Sequence, residues 1–210
     1  MNPITTTAPG ARGSTLRSTL AFVQHIAGDE TVARIRDGLA PDDRVRIDAA
    51  APTDEIPLTL LHALWRAVEA EIGAEHPDWP EQSGAFAIEG TGQQLYGGIL
   101  RKKSPMEFLT QRVSLFRLYY HPGNMEVVEA EQGRAVLRLV GFDPGERTFC
   151  RRQTGGLLRS MEFAGGTSCM VRHVRCSLDG DAFCEWELRW ETPAVAGTGA
   201  ATGPGAGTGE

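Results

Sequence analysis

The residues best suited to chemistry in this chain are three cysteines and one histidine in its last third: Cys150, His173, Cys176 and Cys184. Twenty-five residues separate Cys150 from Cys176, seven separate Cys176 from Cys184, and His173 lies three positions before Cys176. Thiolates and an imidazole are ligands that Zn²⁺ prefers in tetrahedral sites. Three thiolates and one neutral imidazole would leave a zinc site at a charge of about −1, which is common in structural sites.

The spacing alone also allows a second interpretation, in which the cysteines are ordinary core residues. The pattern lacks the paired Cys-x2-Cys signature of many zinc sites, and cysteine is among the most buried residue types. His173 and Cys176 would face opposite sides of a regular strand. They can share one ion only if the strand bulges or has already ended near Cys176. Cys169 is out of register with the others, and we predict a plain core cysteine there.

The elements that must position these residues are a helix and a hairpin. Residues 147–163 predict a helix that begins close to Cys150 and ends before Gly165–Gly166. Residues 167–176 and 183–191 predict two strands joined by a turn at residues 178–181. The last strand alternates, so that one face should carry Cys184, Trp186, Leu188 and Trp190. An earlier hairpin is predicted from residues 125–129 and 136–140.

The first half of the chain has helical periodicity. We predict a helix capped by Ser14 and broken at Gly28–Asp29, a short helix over 31–37, a helix from Pro57 to Gly73, a glycine-rich helical region over 81–100, and a helix opened by the capping box Ser104–Glu107. The predicted fold class is α+β, with N-terminal helices packed on a C-terminal antiparallel sheet built from two hairpins with an intervening helix.

Composition limits the classes of partner. A net charge of −6 and a pI near 5.4 argue against a nucleic-acid surface. No apolar run is long enough to span a bilayer, and the N-terminus lacks the apolar stretch of a secretory signal. We therefore expect a cytoplasmic protein with reduced thiols. Residues 1–13 and the Gly/Ala/Thr-rich tail at 192–210 are expected to be disordered, which leaves a single domain over 14–191.

The ending from Cys176 to Trp190 resembles the end of 4-vinyl reductase-type domains, which finish with a cysteine, a Gly-Asp turn, a second cysteine and an acidic, aromatic strand. The segments that begin at Leu16, Lys103, Leu118 and Arg134 add to the likeness. Together they resemble an uncharacterised family common in myxobacteria that is related to this domain. The similarity covers roughly residues 14–191.

This resemblance implies a fold shared with haem-nitric-oxide-binding domains and Golgi vesicle-tethering subunits, with an apolar pocket and a homodimer. Members in phenol-sensing activators bind aromatic effectors and hold zinc through three cysteines at the spacing of Cys150, Cys176 and Cys184. Their fourth ligand is a carboxylate, and the matching position here is His173. The Tyr-x-Ser-x-Arg motif of the haem-binding relatives is absent, so haem is not expected.

We therefore expect a non-catalytic sensory domain that contains a structural zinc ion and binds a small apolar or aromatic molecule. Candidate pocket residues are Trp65, Phe108, Phe116 and Tyr119, although periodicity cannot separate a pocket wall from a filled core. Gly155–Gly156 indicate either close packing or space for a ligand. An interaction module without a ligand is the alternative. A reductase is less favoured, because no catalytic residues or cofactor motif can be assigned.

Overall fold

The computed structural model describes residues 8–92 and 104–191, without the side chains of residues 91, 92 and 111–115. The helices are α1 (Gly13–Asp37), α2 (Pro41–Ala49), α3 (Leu58–Ile72), α4 (Trp79–Ala87), α5 (Pro105–Tyr119) and α6 (Arg147–Phe163), with a π-helical turn at Ile88–Gly92. The strands are β1 (Gly10–Arg12), β2 (Glu55–Pro57), β3 (Tyr120–His121), β4 (Asn124–Glu131), β5 (Arg134–Val140), β6 (Thr167–Arg175) and β7 (Cys184–Glu191). No helix of the described parts is both long and apolar enough to cross a membrane.

The larger sheet is antiparallel, with strand order β4-β5-β7-β6. It consists of the two predicted hairpins, and α6 connects them along the chain. This architecture confirms the predicted α+β fold class. A second, small sheet of order β2-β1-β3 was not predicted. Its strands have only two or three residues each, which is too short for an alternating pattern to show.

Several predicted helix boundaries need correction. Arg12 rather than Ser14 is the N-cap of α1, and Ser14 lies buried within the first turn. The predicted break at Gly28 is confirmed, because this residue has φ 80° and ψ 174° inside α1. Helix α2 forms where a connection was expected, with Pro41 at its first position and acidic residues in its first turn. Pro57 ends β2 and caps α3 instead of lying inside the helix.

Two further predictions concern the N-terminal residues 1–13 and the glycine-rich region over 81–100. Strand β1 lies within residues 1–13, which were expected to be disordered, and it pairs with β2 and β3. The ordered domain therefore starts before residue 14. The glycine-rich region predicted as helical over 81–100 is helical as far as Gly92. Residues 93–100 and the tail at 192–210 lie outside the described residues.

The core lies between the helices and the larger sheet. Residues of the predicted apolar face of α3 are buried, as are the four residues predicted to share one face of β7. They are Leu61, Leu64, Trp65, Val68 and Ile72 on α3, and Cys184, Trp186, Leu188 and Trp190 on β7. Glu185, on the other face of β7, is also buried, and its carboxylate accepts hydrogen bonds from Arg138 that offset the cost of burying its charge.

Helices α4 and α6 approach each other closely at two glycines. A Cβ atom added at Gly84 would overlap with the backbone carbonyl oxygen of Arg152, and one added at Gly155 would overlap with that of Glu81. Each helix therefore presents bare backbone to the other. For Gly155, this supports the packing interpretation of the Gly155–Gly156 pair.

Ser104 caps α5 as the sequence predicts, since its hydroxyl accepts a hydrogen bond from the backbone N–H of Glu107 at 3.2 Å. We expect Ser104→Ala to lower the free energy of unfolding by about 1 kcal/mol, because the orphaned N–H loses its partner. Chemical denaturation would measure the change. Ser104→Asp should retain the cap, and equal stability losses in both variants would contradict the assignment.

Candidate functional site

The four predicted metal ligands lie together at one end of the larger sheet. Cys150 is in the first turn of α6, His173 is near the end of β6, Cys176 follows that strand, and Cys184 is the first residue of β7. Their ligand atoms all lie within 4.8 Å of one another, and the Sγ atoms of Cys150 and Cys184 are 3.7 Å apart. Zinc–sulfur bonds of about 2.3 Å in a tetrahedron place sulfurs about 3.8 Å apart. The cluster therefore needs only a small contraction to surround an ion.

A break in the strand register brings His173 and Cys176 to the same side. The pairing of β6 with β7 shifts between His173 and Arg175, which is the irregularity that a shared ion requires. The imidazole of His173 stacks on Trp186 with ring centres 4.7 Å apart. After the strand, the carboxylate of Asp181 accepts a hydrogen bond from the backbone N–H of Cys176 at 2.8 Å. The sheet and the following turn thus fix both side chains.

Hydrogen bonds favour a thiolate at Cys184. The sulfur of Cys150 lies 3.7 Å from the sulfur of Cys184, the backbone N–H of Ser177 donates to it at 3.5 Å, and Ser177 Oγ lies 3.3 Å away. These contacts, with that of Cys150 the strongest, lower the pKa of Cys184 to about 3. The same bond to Cys184, together with burial, raises the pKa of Cys150 well above its ordinary value. The protein alone therefore stabilises one thiolate, and a bound cation would be needed to ionise the others.

The donor set fits a metal ion. Nε2 of His173 is buried and has no hydrogen-bond partner among the described residues, and buried polar atoms rarely lack partners. None of the cysteines forms a disulfide. The cluster formed by Cys150, His173, Cys176 and Cys184 could therefore hold a metal.

A cavity lies on another side of α6, between that helix and α1, α4 and α5. It has about 560 Å³ of space free of protein atoms, the open solvent at its mouth included. Its lining residues are Ser14, Thr15, Ser18, Gly84, Ala87, Ile88, Phe116, Tyr119, Tyr120, Arg152, Gln153 and Gly156. Gly156 is thus at the cavity, as the ligand-space interpretation of the glycine pair requires.

Two of the four predicted pocket residues, Phe116 and Tyr119, line this cavity. Trp65 and Phe108 do not, because both are fully buried in the core. Helical periodicity identifies the buried face of a helix but not the part of that face where packing is incomplete. This limit explains the mixed outcome.

Arg152 is a buried charged residue that the sequence analysis does not identify. It is 4% exposed and lines the cavity, and its guanidinium lies 5.3 Å from the ring centre of Trp65. Burial lowers the pKa of Arg152, although arginine remains charged in proteins. A usable signal was present, since Arg152 lies three residues after buried Phe149 and four before Gly156, on the inward stripe of α6.

Comparisons with known proteins identify the fold group of this α+β architecture. No family model matches the chain, and no curated protein does. Solved structures of H-NOX proteins do match, one from K. algicida with 14% identity, TM-score 0.69 and coverage of 87% of this chain and 98% of the other.

Two further H-NOX structures give similar values. The protein from S. oneidensis in the Fe(II)NO ligation state has 14% identity and a TM-score of 0.65, with 86% and 99% of the two chains covered. A mutant from T. tengcongensis has 14% identity and a TM-score of 0.63, with 87% and 99% covered. The predicted fold group of haem-nitric-oxide-binding domains is thus confirmed at the level of fold.

The similarity to H-NOX structures raises the question of whether the cavity could hold haem. Haem iron in proteins is held mainly by histidine, cysteine, methionine or tyrosine. Among the described residues that line the cavity, Tyr119 and Tyr120 are of these types, and none is a histidine, cysteine or methionine. The lining therefore supplies no histidine of the kind that holds haem in globins, and we derive no haem chemistry for this cavity.

Proposed function

We propose that this chain is a non-catalytic sensory domain that binds a small apolar or aromatic molecule in the cavity and a structural zinc ion at the cluster. The observation that carries the proposal is that α6 serves both sites. Cys150 belongs to the cluster, whereas Arg152, Gln153 and Gly156 line the cavity. A metal ion would fix the helix that forms one wall of the ligand site.

Zinc is the favoured ion because of the donor set. Three sulfurs and one imidazole nitrogen match the Cys₃His type of structural zinc site, whereas harder ions prefer oxygen ligands. Four protein ligands close the coordination sphere, and catalytic zinc sites keep an open position. The cluster therefore favours a structural role over an enzymatic one.

The relationship to 4-vinyl reductase-type domains and to the myxobacterial family belongs to this proposal, as do a homodimer and a cytoplasmic location. The ending of the chain from Cys176 to Trp190 supports the relationship. Reducing conditions in the cytoplasm would keep the thiols available for zinc.

An interaction module is the second candidate, and the edge strand β6 favours it. Met170 and Val174 are 53% and 42% exposed on this strand, which is the last strand of the described sheet. An exposed apolar edge can pair with a strand of another chain. This surface could serve a second copy of the protein or a different partner.

Native mass spectrometry of protein purified without chelators tests these proposals together. The sensory proposal predicts about one zinc ion per subunit, a dimer, and a small molecule that leaves when the protein is denatured. A stable assembly with zinc but without any small molecule would favour the interaction module. Folded protein without metal would refute the zinc site.

A further inference from the structure

The guanidinium of Arg152 is a buried cation that contacts no anionic side chain among the described residues. Its Nη1 donates to the hydroxyl of Ser83, and the hydroxyl of Tyr120 is its other polar contact. Its Nε is buried and has no hydrogen-bond partner among the described residues. Both contacts are neutral side chains, and the ring of Trp65 is a neutral neighbour as well, so no anionic group of the described protein balances this charge.

The remaining parts of the chain offer little that could balance it. Residues 1–7, 93–103 and 192–210 contain one acidic side chain, that of Glu210. Other arginines of α6 have the carboxylate partner that Arg152 lacks among the described residues. Arg151 pairs with Glu81 at 2.6 Å, and Arg159 pairs with Glu89 at 2.6 Å. Buried charges are normally paired, because an isolated charge in the interior is costly.

The cavity surrounds this cation with further groups that suit an anion. The side-chain amide of Gln153 has no hydrogen bond within the described residues, although Gln153 is 7% exposed. Ser14 and Thr15, in the first turn of α1, add two residues with hydroxyl groups to the lining. The arginine fork matches a carboxylate in two parallel hydrogen bonds.

The rest of the lining is apolar enough to hold a hydrocarbon body. Phe116 and Ile88 contribute to it, and Gly84 and Gly156 add no side chains. A ligand with one charged group and a small apolar part would satisfy both kinds of surface at once. A neutral hydrocarbon would leave Arg152 unpaired.

We propose that the cavity binds a small organic carboxylate with an apolar or aromatic body, and that Arg152 pairs with its carboxylate. This inference rests on the proposed function, whose ligand class it narrows. Carboxylates and inorganic phosphate are both oxyanions that an arginine can bind. Phosphate is therefore the competing ligand for this cavity.

The test compares benzoate with benzamide, which has nearly the same shape and no charge, and with inorganic phosphate. Isothermal titration calorimetry on the full chain should show benzoate binding at least about tenfold more tightly than benzamide. Equal binding of the two would overturn the carboxylate inference while leaving the small-molecule function intact. Binding of phosphate alone, or of none of the probes, would also overturn the carboxylate inference. The wider proposal of a small-molecule-binding function is tested separately, by whether native mass spectrometry detects a co-purified molecule.

Two variants test whether Arg152 is the residue that causes the preference for benzoate over benzamide. Arg152→Met should abolish the preference for benzoate while circular dichroism shows an intact fold, since no carboxylate partner is left behind. Arg151→Met, the same change at the neighbouring paired arginine, should keep the preference. If Arg152→Met does not fold, Arg152→Lys replaces it and should weaken benzoate binding because the fork is lost. Full benzoate affinity in a folded Arg152 variant would refute the role of this residue.

Discussion

The proposed zinc site predicts that protein carrying Cys184→Ser contains no zinc and has lost a large part of its stability. Cys184 Sγ lies 3.7 Å from the sulfur of Cys150 and accepts a hydrogen bond from the backbone N–H of Ser177. A serine hydroxyl is a poor zinc ligand, so zinc affinity should fall by more than about 100-fold. Because metal binding is coupled to folding, the free energy of unfolding should fall by about 3 kcal/mol or more. Metal analysis and chemical denaturation would measure both effects.

The matched control is Cys169→Ser, which changes the one cysteine outside the cluster. It should keep a full complement of zinc. His173→Asp should also retain zinc, because a carboxylate is a competent ligand, whereas His173→Phe should release it. If Cys184→Ser and Cys169→Ser behave alike, the cysteines are core residues and the metal site does not exist.

Gly155→Ala is expected to destabilise the protein by about 3 kcal/mol or more, although alanine is a better helix former than glycine. The added methyl group would overlap with the backbone oxygen of Glu81 on α4. A backbone atom cannot rotate away as a side chain can, so the two helices would have to separate. The shift would disturb the cavity, which both helices line. Thermal and chemical denaturation would report the loss.

Gly90→Ala provides the comparison, because a methyl group there would meet no atom of the described residues within 4 Å. This glycine lies in the helical turn after α4, and its replacement should change stability by less than about 1 kcal/mol. A similar, small effect at both positions would show that α4 and α6 tolerate a wider spacing than the structure has.

Sequence periodicity was sufficient for elements whose residues repeat over several turns or strand positions. The bounds of α6 and the alternation of β7 follow directly from apolar spacing. Strands of two or three residues, such as β1, have no period to detect, and they form only because distant segments meet. Helix α2 was missed since only one of its residues, Ile47, is buried.

The candidate sites were predictable to different degrees. Residue type, spacing and the resemblance to 4-vinyl reductase-type domains together selected the four members of the cluster. Their convergence depends on the bulge after His173, which the sequence analysis could state only as a condition. The cavity could not be located from the chain, because it arises where four helices fail to fill the space between them. The burial of Arg152 was not predicted from the sequence, because a charged residue within a helix is usually exposed to solvent.

The position of helix α6 between the two candidate sites is expected to couple the binding of their ligands. Because the first turn of the helix contributes to the cluster and the next turns to the cavity wall, an ion and an organic molecule would not bind independently. If zinc changes the affinity for the molecule by some factor, the molecule must change the affinity for zinc by the same factor. Effector binding could then be read as a change in how firmly the protein retains its metal.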